Sequence, residues 1–214
     1  MHAILDRPPV RTMFSDASAV AVGGYSAETG KWWRYDLEAE QRARMRGSSA
    51  HSKDDLSINV LELLGMVVSA FNLVVTEEAA PATPRDPVLL RGDNQSAVHW
   101  INRCRGGKEP RSGALMRILG LLEIRGGWKF EAKHIPGALN QAADGISRWN
   151  RDEVQANLSA ICPDIAWQEL PLSAQGTALC SGILASDSSD TPLRRRLNGL
   201  TRGILDHGSG SDNV

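Results

Sequence analysis

RTMFSDASAVAVGGYSAETGKWWRYDL, residues 11–37, alternates apolar with small or polar side chains and is interrupted by Gly23-Gly24 and Glu28-Thr29-Gly30. A period of two marks strands with one face buried, and glycine-rich punctuation supplies tight turns. The stretch therefore predicts three short strands in an antiparallel meander, with Asp16 at the end of the first.

Downstream the period changes. INVLELLGMVVSAFNLVV (58–75) is long and apolar on most faces, with Asp54, Asp55 and Ser57 available to cap its start, which predicts a buried helix. VLLRGD (88–93) reads as a strand ending in Gly92-Asp93, and NQSAVHWINR (94–103) as the helix after it. SGALMRILGLLEIRGG (112–127) is a second helix closed by glycines, WKFEAKHI (128–135) a strand, and ALNQAADGISRW (138–149) a last helix. The order βββαβααβα describes an α/β fold with a mixed five-stranded sheet flanked by helices. The charged stretch DLEAEQRARMRGSSAHSKDD (36–55) is assigned no element.

With 214 residues, 42% of them hydrophobic, the chain has room for one domain, read as residues 1–150, and a tail over 151–214. Within the tail, residues 191–206 place Leu193, Leu197, Leu200 and Ile204 at helical spacing among Arg194, Arg195, Arg196 and Arg202, a short basic amphipathic helix. Elsewhere in this partly disordered linker, ICPDIAWQELPLSAQGTALCSG (161–182) reads as a short helix or loops, ASDSSDTP (185–192) is polar and HGSGSDNV (207–214) reads as disordered. No run is expected to reach the roughly 18 to 20 apolar residues of a membrane span, and the N-terminus lacks a signal-peptide layout. An intracellular protein, cytoplasmic or nuclear, is the expectation. Cys104, Cys162 and Cys180 form no CxxC pair and support neither a disulfide framework nor a zinc site.

Formal net charge is −1, unevenly distributed. Residues 101–150 hold nine Lys/Arg against four Asp/Glu, a surplus that suits a polyanion, whereas 151–214 hold five against eight.

Four carboxylates stand where core residues are expected. Asp16 and Asp93 end strands, Glu62 interrupts the most apolar helix, and Asp144 lies one turn into the last helix. A carboxylate in apolar surroundings is costly unless a positive charge meets it. Each has a structural alternative, Asp16 and Asp93 as turn residues and Asp144 as a partner of the helix dipole, but Glu62 has no basic residue within helical reach. Oxygen ligands without a Cys or His cluster point to magnesium or manganese. Two such ions about 3.5 to 4 Å apart clamp the attacking and leaving oxygens of a phosphodiester, so the residues point to phosphoryl chemistry.

The pieces FSDAS (14–18), INVLELLGM (58–66), LLRGDNQSAVHWIN (89–102) and AKHIPGALNQAADGISRW (132–149) resemble the type 1 ribonuclease H domain of retrotransposon reverse transcriptases, in the form of gypsy-like elements and of those carrying a tyrosine recombinase. The resemblance covers about residues 10–150. It implies a ribonuclease H-like fold and an endonuclease that hydrolyses the RNA strand of RNA/DNA hybrids. It implies that Asp16, Glu62, Asp93 and Asp144 hold two Mg2+ or Mn2+ ions, one activating water and the other stabilising the leaving 3' oxygen. His134, ten residues before Asp144, is implied to sit on a loop and to assist proton transfer or product release, chemistry suited to an imidazole. Asn94 and Gln95 match positions that touch the minor groove of the hybrid, with helix capping as their alternative. Partners implied are an upstream reverse transcriptase and a downstream recombinase domain of one polyprotein.

Pro136-Gly137 is expected to shape a turn, and Asn140 to cap the last helix so that Asp144 points inward. Arg103, Arg105, Lys108 and Arg111 stand where a longer basic helix grips the hybrid in some relatives, and are read as a basic substrate-binding loop. Trp32, Trp33, Trp100 and Trp128 are read as packed on or under the sheet. Other readings are an integrase-like set of Asp16, Asp93 and Glu123 or Glu131, a non-catalytic tether of the same fold, and a DNA-binding module built on the C-terminal basic helix.

Overall fold

The alternation over 11–37 becomes β1 (Arg11–Ala17), β2 (Ala21–Ser26) and β3 (Lys31–Asp36), antiparallel throughout. The computed structural model describes residues 8–45, 55–76 and 85–185. β4 (Pro87–Gly92) joins β1 in parallel, and β5 (Lys129–His134) joins β4 in parallel. The mixed α/β sheet expected from the sequence is present, but with six strands among the described residues, in the order β5-β4-β1-β2-β3-β6. The sixth, β6 (Gln168–Glu169), runs parallel to β3. Two residues carry no periodicity, which is why no strand is legible there.

Helices cover both faces. α2 (Ile58–Phe71) packs beneath the sheet with α3 (Gln95–Asn102), α4 (Pro110–Gly126) and α7 (Ala174–Leu184), and a π-helical turn at Asn72–Thr76 extends it. Ser57 caps α2 by accepting from the Asn59 N–H at 3.3 Å. Val60, Leu61, Leu63, Leu64, Met66 and Val67 are fully buried, each worth about 1.5 to 3 kcal/mol of hydrophobic transfer. Contrary to the sequence reading, the 18 residues Ile58–Val75 are long and apolar enough to cross a bilayer. The stretch is 83% buried as the central core helix.

The opposite face, over β2 and β3, carries α5 (Gln141–Arg148) and α6 (Arg151–Ile161). Gly23 makes that approach possible, because a Cβ there would stand 2.4 Å from Ile146 Cγ2 on α5. Arg34 of β3, buried, donates to the Ile146 carbonyl at 2.7 Å and the Trp149 carbonyl at 2.5 Å, satisfying the open C-terminus of α5.

Residues beyond 150, read from the sequence as a tail, continue the core. Val154 and Leu158 of α6 are fully buried with Trp32 and Ile146, and Leu179, Cys180, Ile183 and Leu184 of α7 join the cluster around α2. Short helices with small and polar residues hide this packing from a periodicity argument. Within the unassigned charged stretch, α1 (Ala39–Met45) forms, with Gln41 accepting from the Glu38 N–H at 3.0 Å. The basic helix expected near 191–206 lies outside the described residues.

Candidate metal centre

Asp16 and Asp93 meet because of strand register. β1 and β4 are parallel neighbours with Phe14 opposite Arg91, so two residues further on both chains present an aspartate at the same end of the sheet. Crevices at the carboxyl ends of parallel strands are the usual ligand sites of open α/β sheets. Glu62 comes from α2, one turn after its start, and the Ala17 backbone N–H just past Asp16 favours the charged form of its carboxylate. One carboxylate oxygen from each of Asp16, Glu62 and Asp93 lies within 4.8 Å of the others.

Burial makes this cluster costly as bare charge. Asp16 and Glu62 are 3% and 4% exposed, and Glu62 Oε2 is buried without a hydrogen-bond partner. Desolvation, with the neighbouring acids Asp93 and Asp144 behind it, pushes Asp16 up to about 6, although the Ser147 hydroxyl works against the rise. Desolvation and the charges of Asp16 and Asp93 push Glu62 up to about 9. Three hard oxygen donors, one of them orphaned in the interior, fit a magnesium- or manganese-sized cation, which would supply the charge that lets them ionise.

Asp144, the fourth expected member, is not in that group of three. It sits in the first turn of α5, half-exposed, and accepts from Arg148 Nε one turn later at 2.5 Å. It remains close enough to raise Asp16 electrostatically. Asn140 occupies the N-cap position of α5, but its side chain does not cap the helix. Nδ2 donates instead to the Ser15 carbonyl at 3.1 Å, tying the helix start to β1, and the Asn140 carbonyl accepts the Asp144 N–H at 2.9 Å.

His134 is the last residue of β5 rather than a loop residue, exposed and opposite Gly92, hence one step from Asp93. Pro136 and Gly137 do shape a turn, a 3-10 segment over Gly137–Leu139. A Cβ on Gly137 would stand 3.0 Å from Asp93 Oδ2, so glycine lets this turn close over the carboxylate without pressing on it.

The expected substrate contacts divide. Asn94 is committed to structure, with Oδ1 capping α3 through the Ala97 N–H at 3.0 Å and Nδ2 donating to Asn59 Oδ1 at 2.8 Å. Gln95 is exposed on the first turn of α3. Arg103, Arg105 and Lys108 are exposed at the far end of that helix, about 12 Å along its axis. Arg111 is a correction: it is fully buried, donating to the Ile183 carbonyl at 3.1 Å, to Ala185 at 3.3 Å and to Glu109 at 3.1 Å. Its guanidinium closes the end of α7 and is inaccessible to a substrate.

Glu123 and Glu131 stand outside the carboxylate cluster. Glu123 Oε1 accepts the Phe130 N–H at 2.9 Å, Glu131 pairs with Lys129, and both line a groove beside β5 to which none of the four candidate carboxylates contributes. Trp32 and Trp33 are buried, donating to Gln155 and Ser69. Two contributors stand outside the residues expected from the sequence. Ser147, which donates to Asp16 Oδ2, looks like any helix serine, whereas Arg148 was open to recognition as an i,i+4 partner of Asp144.

No protein-family model, no curated protein and no solved structure matches this chain.

Proposed function

We propose that the protein is a divalent-metal-dependent endonuclease of ribonuclease H-like fold that hydrolyses the RNA strand of RNA/DNA hybrids. One observation carries the reading: carboxylate oxygens from β1, α2 and the end of β4 lie within 4.8 Å of one another, with a buried, unpartnered Glu62 oxygen among them. The resemblance of FSDAS, INVLELLGM, LLRGDNQSAVHWIN and HIPGALNQAADGISRW to retroelement ribonucleases H supplies the substrate class.

Asp16, Glu62 and Asp93 would hold the cations, with Asp144 as the further ligand. Bound divalent ions would supply a water nucleophile at neutral pH and charge stabilisation at the leaving 3' oxygen. The chain's own part is orientation. Ser147 fixes the Asp16 carboxylate, Gly137 brings the turn against Asp93, and the imidazole of His134 stands at the neighbouring strand end, where it can take up or return a proton. Gln95, exposed on the first turn of α3, is the polar side chain free to meet a 2'-hydroxyl, the group that separates RNA from DNA. Arg103, Arg105 and Lys108 contact backbone phosphates further along the duplex, a sequence-independent grip weakened by salt. Such a domain is suited to work beside a reverse transcriptase and a recombinase of the same polyprotein.

The test is cleavage of an end-labelled RNA/DNA hybrid in Mg2+ or Mn2+ by wild type and Asp93→Asn, with double-stranded DNA as control. Cutting of the RNA strand alone, lost in the variant and in chelator, is the expected result. Folded wild-type protein that binds the hybrid and leaves it intact would favour the tether reading, and nicking of DNA the integrase-like one.

A further inference from the structure

Arg148 ends α5 one helical turn beyond Asp144, and the two side chains, 59% and 44% exposed, are joined at 2.5 Å. An acid placed four residues before a base is the favourable orientation for such a pair. The positive charge of Arg148 also reaches inward, where it opposes the upward shifts of Asp16 and Glu62. In return, Asp144, Asp16 and Asp93 hold the guanidinium above its ordinary range. Arg148 thus bears electrostatically on all four carboxylates, and it bonds directly to the one that stands apart from the other three.

We propose that Arg148 is a tethered competitor of the second divalent cation: it holds Asp144 away from the carboxylate cluster, and a second ion completes the site only by taking Asp144 from it. This rests on Asp16, Glu62 and Asp93 being metal ligands. A solvent-exposed ion pair is weak, so Arg148 sets a threshold for the second ion rather than closing the site. The first ion needs only the three clustered carboxylates. Occupancy is therefore ordered, and each loading of the second site frees a guanidinium with five N–H donors at the edge of the centre.

Binding, not turnover, tests this. Mn2+ isotherms, read from the electron paramagnetic resonance signal of free Mn2+, are recorded on the full chain for wild type, Arg148→Gln, Arg148→Lys, Asp144→Asn and the Arg148→Gln/Asp144→Asn pair. Wild type is expected to show one tighter and one weaker class of site. Arg148→Gln should tighten the weaker class by roughly threefold to tenfold, the scale of a lost exposed pair plus a removed like charge, while Arg148→Lys stays close to wild type. Asp144→Asn should abolish the weaker class, and in that background Arg148→Gln should change nothing. A weaker class that is unchanged or loosened in Arg148→Gln, with the tighter class intact, overturns the proposal. So does tightening that persists without Asp144, because Arg148 would then act as a diffuse charge. Absence of both classes from wild type would overturn the metal-site reading itself, and this inference with it.

Discussion

Ser147 Oγ on α5 donates to Asp16 Oδ2 on β1 at 2.7 Å, joining residues 131 positions apart. The neighbouring Ser18 hydroxyl donates to the Ser147 carbonyl at 2.7 Å, so strand and helix hold each other at the carboxylate cluster. This hydrogen bond restrains an acid that burial already pushes up to about 6. Ser147→Ala should raise Asp16 further, weaken Mn2+ binding at neutral pH by roughly threefold to tenfold, and cost about 1 kcal/mol of stability. Mn2+ titration and chemical denaturation in chelator read the two effects, and metal affinity equal to wild type would remove Ser147 from the site.

Buried acids give the metal-free protein a defined pH dependence. Glu62 titrates near 9 when folded and near 4.5 in its ordinary state, so between those values the folded form keeps a proton that the unfolded chain gives up. Stability should therefore fall as pH rises through this window, with Asp16 adding to the loss between about 4 and 6. Glu62→Gln removes the larger share. In chelator at pH 8 it should be more stable than wild type, by on the order of a few kcal/mol, and the gap should shrink toward pH 5. Divalent cation should release about one proton on binding at pH 7, where Glu62 is protonated and Asp16 mostly ionised. Calorimetry in two buffers of different ionisation enthalpy measures it, and zero release would contradict a role for Glu62 as ligand.

Ending the chain at Asn150 should unfold it. Such a truncation strips Val154, Leu158, Leu179, Cys180, Ile183 and Leu184 from the core and leaves the buried Arg111 without the Ile183 and Ala185 carbonyls. Six buried side chains at about 1.5 to 3 kcal/mol each approach the whole stability of an ordinary domain. A chain ending at Ala185 keeps these contacts. Thermal unfolding of the two truncations decides the matter, and a cooperative transition near the full-length temperature for residues 1–150 would refute the claim.

The outer edge of β5 is guarded by side chains. Asn102 donates to the Ala132 carbonyl at 2.8 Å and accepts its N–H at 2.9 Å, while Glu123 accepts the Phe130 N–H. An unguarded edge strand is a template for pairing with another chain. Asn102→Ala should cost about 1 to 3 kcal/mol and promote self-association, visible by light scattering at rising concentration. Glu123→Gln should leave the proposed nuclease activity within about twofold of wild type, since its carboxylate serves the edge and lies outside the carboxylate cluster.

By itself the sequence determined the elements from β1 to α5, α1 excepted, and most of the cluster. Alternation over 11–37 specified the meander, the apolar run from Ile58 specified the core helix, and three acids placed against those patterns, Asp16, Glu62 and Asp93, do converge. Such features depend on local periodicity and on the cost of burying charge, both readable along a chain. Tertiary structure alone decided which distant polar partners met. It tied Asn94 to Asn59, buried Arg111 under the end of α7, and folded residues 151–185 onto the core. These outcomes depend on which atoms come within about 3 Å once distant segments pack, a distance that residue type and spacing do not encode.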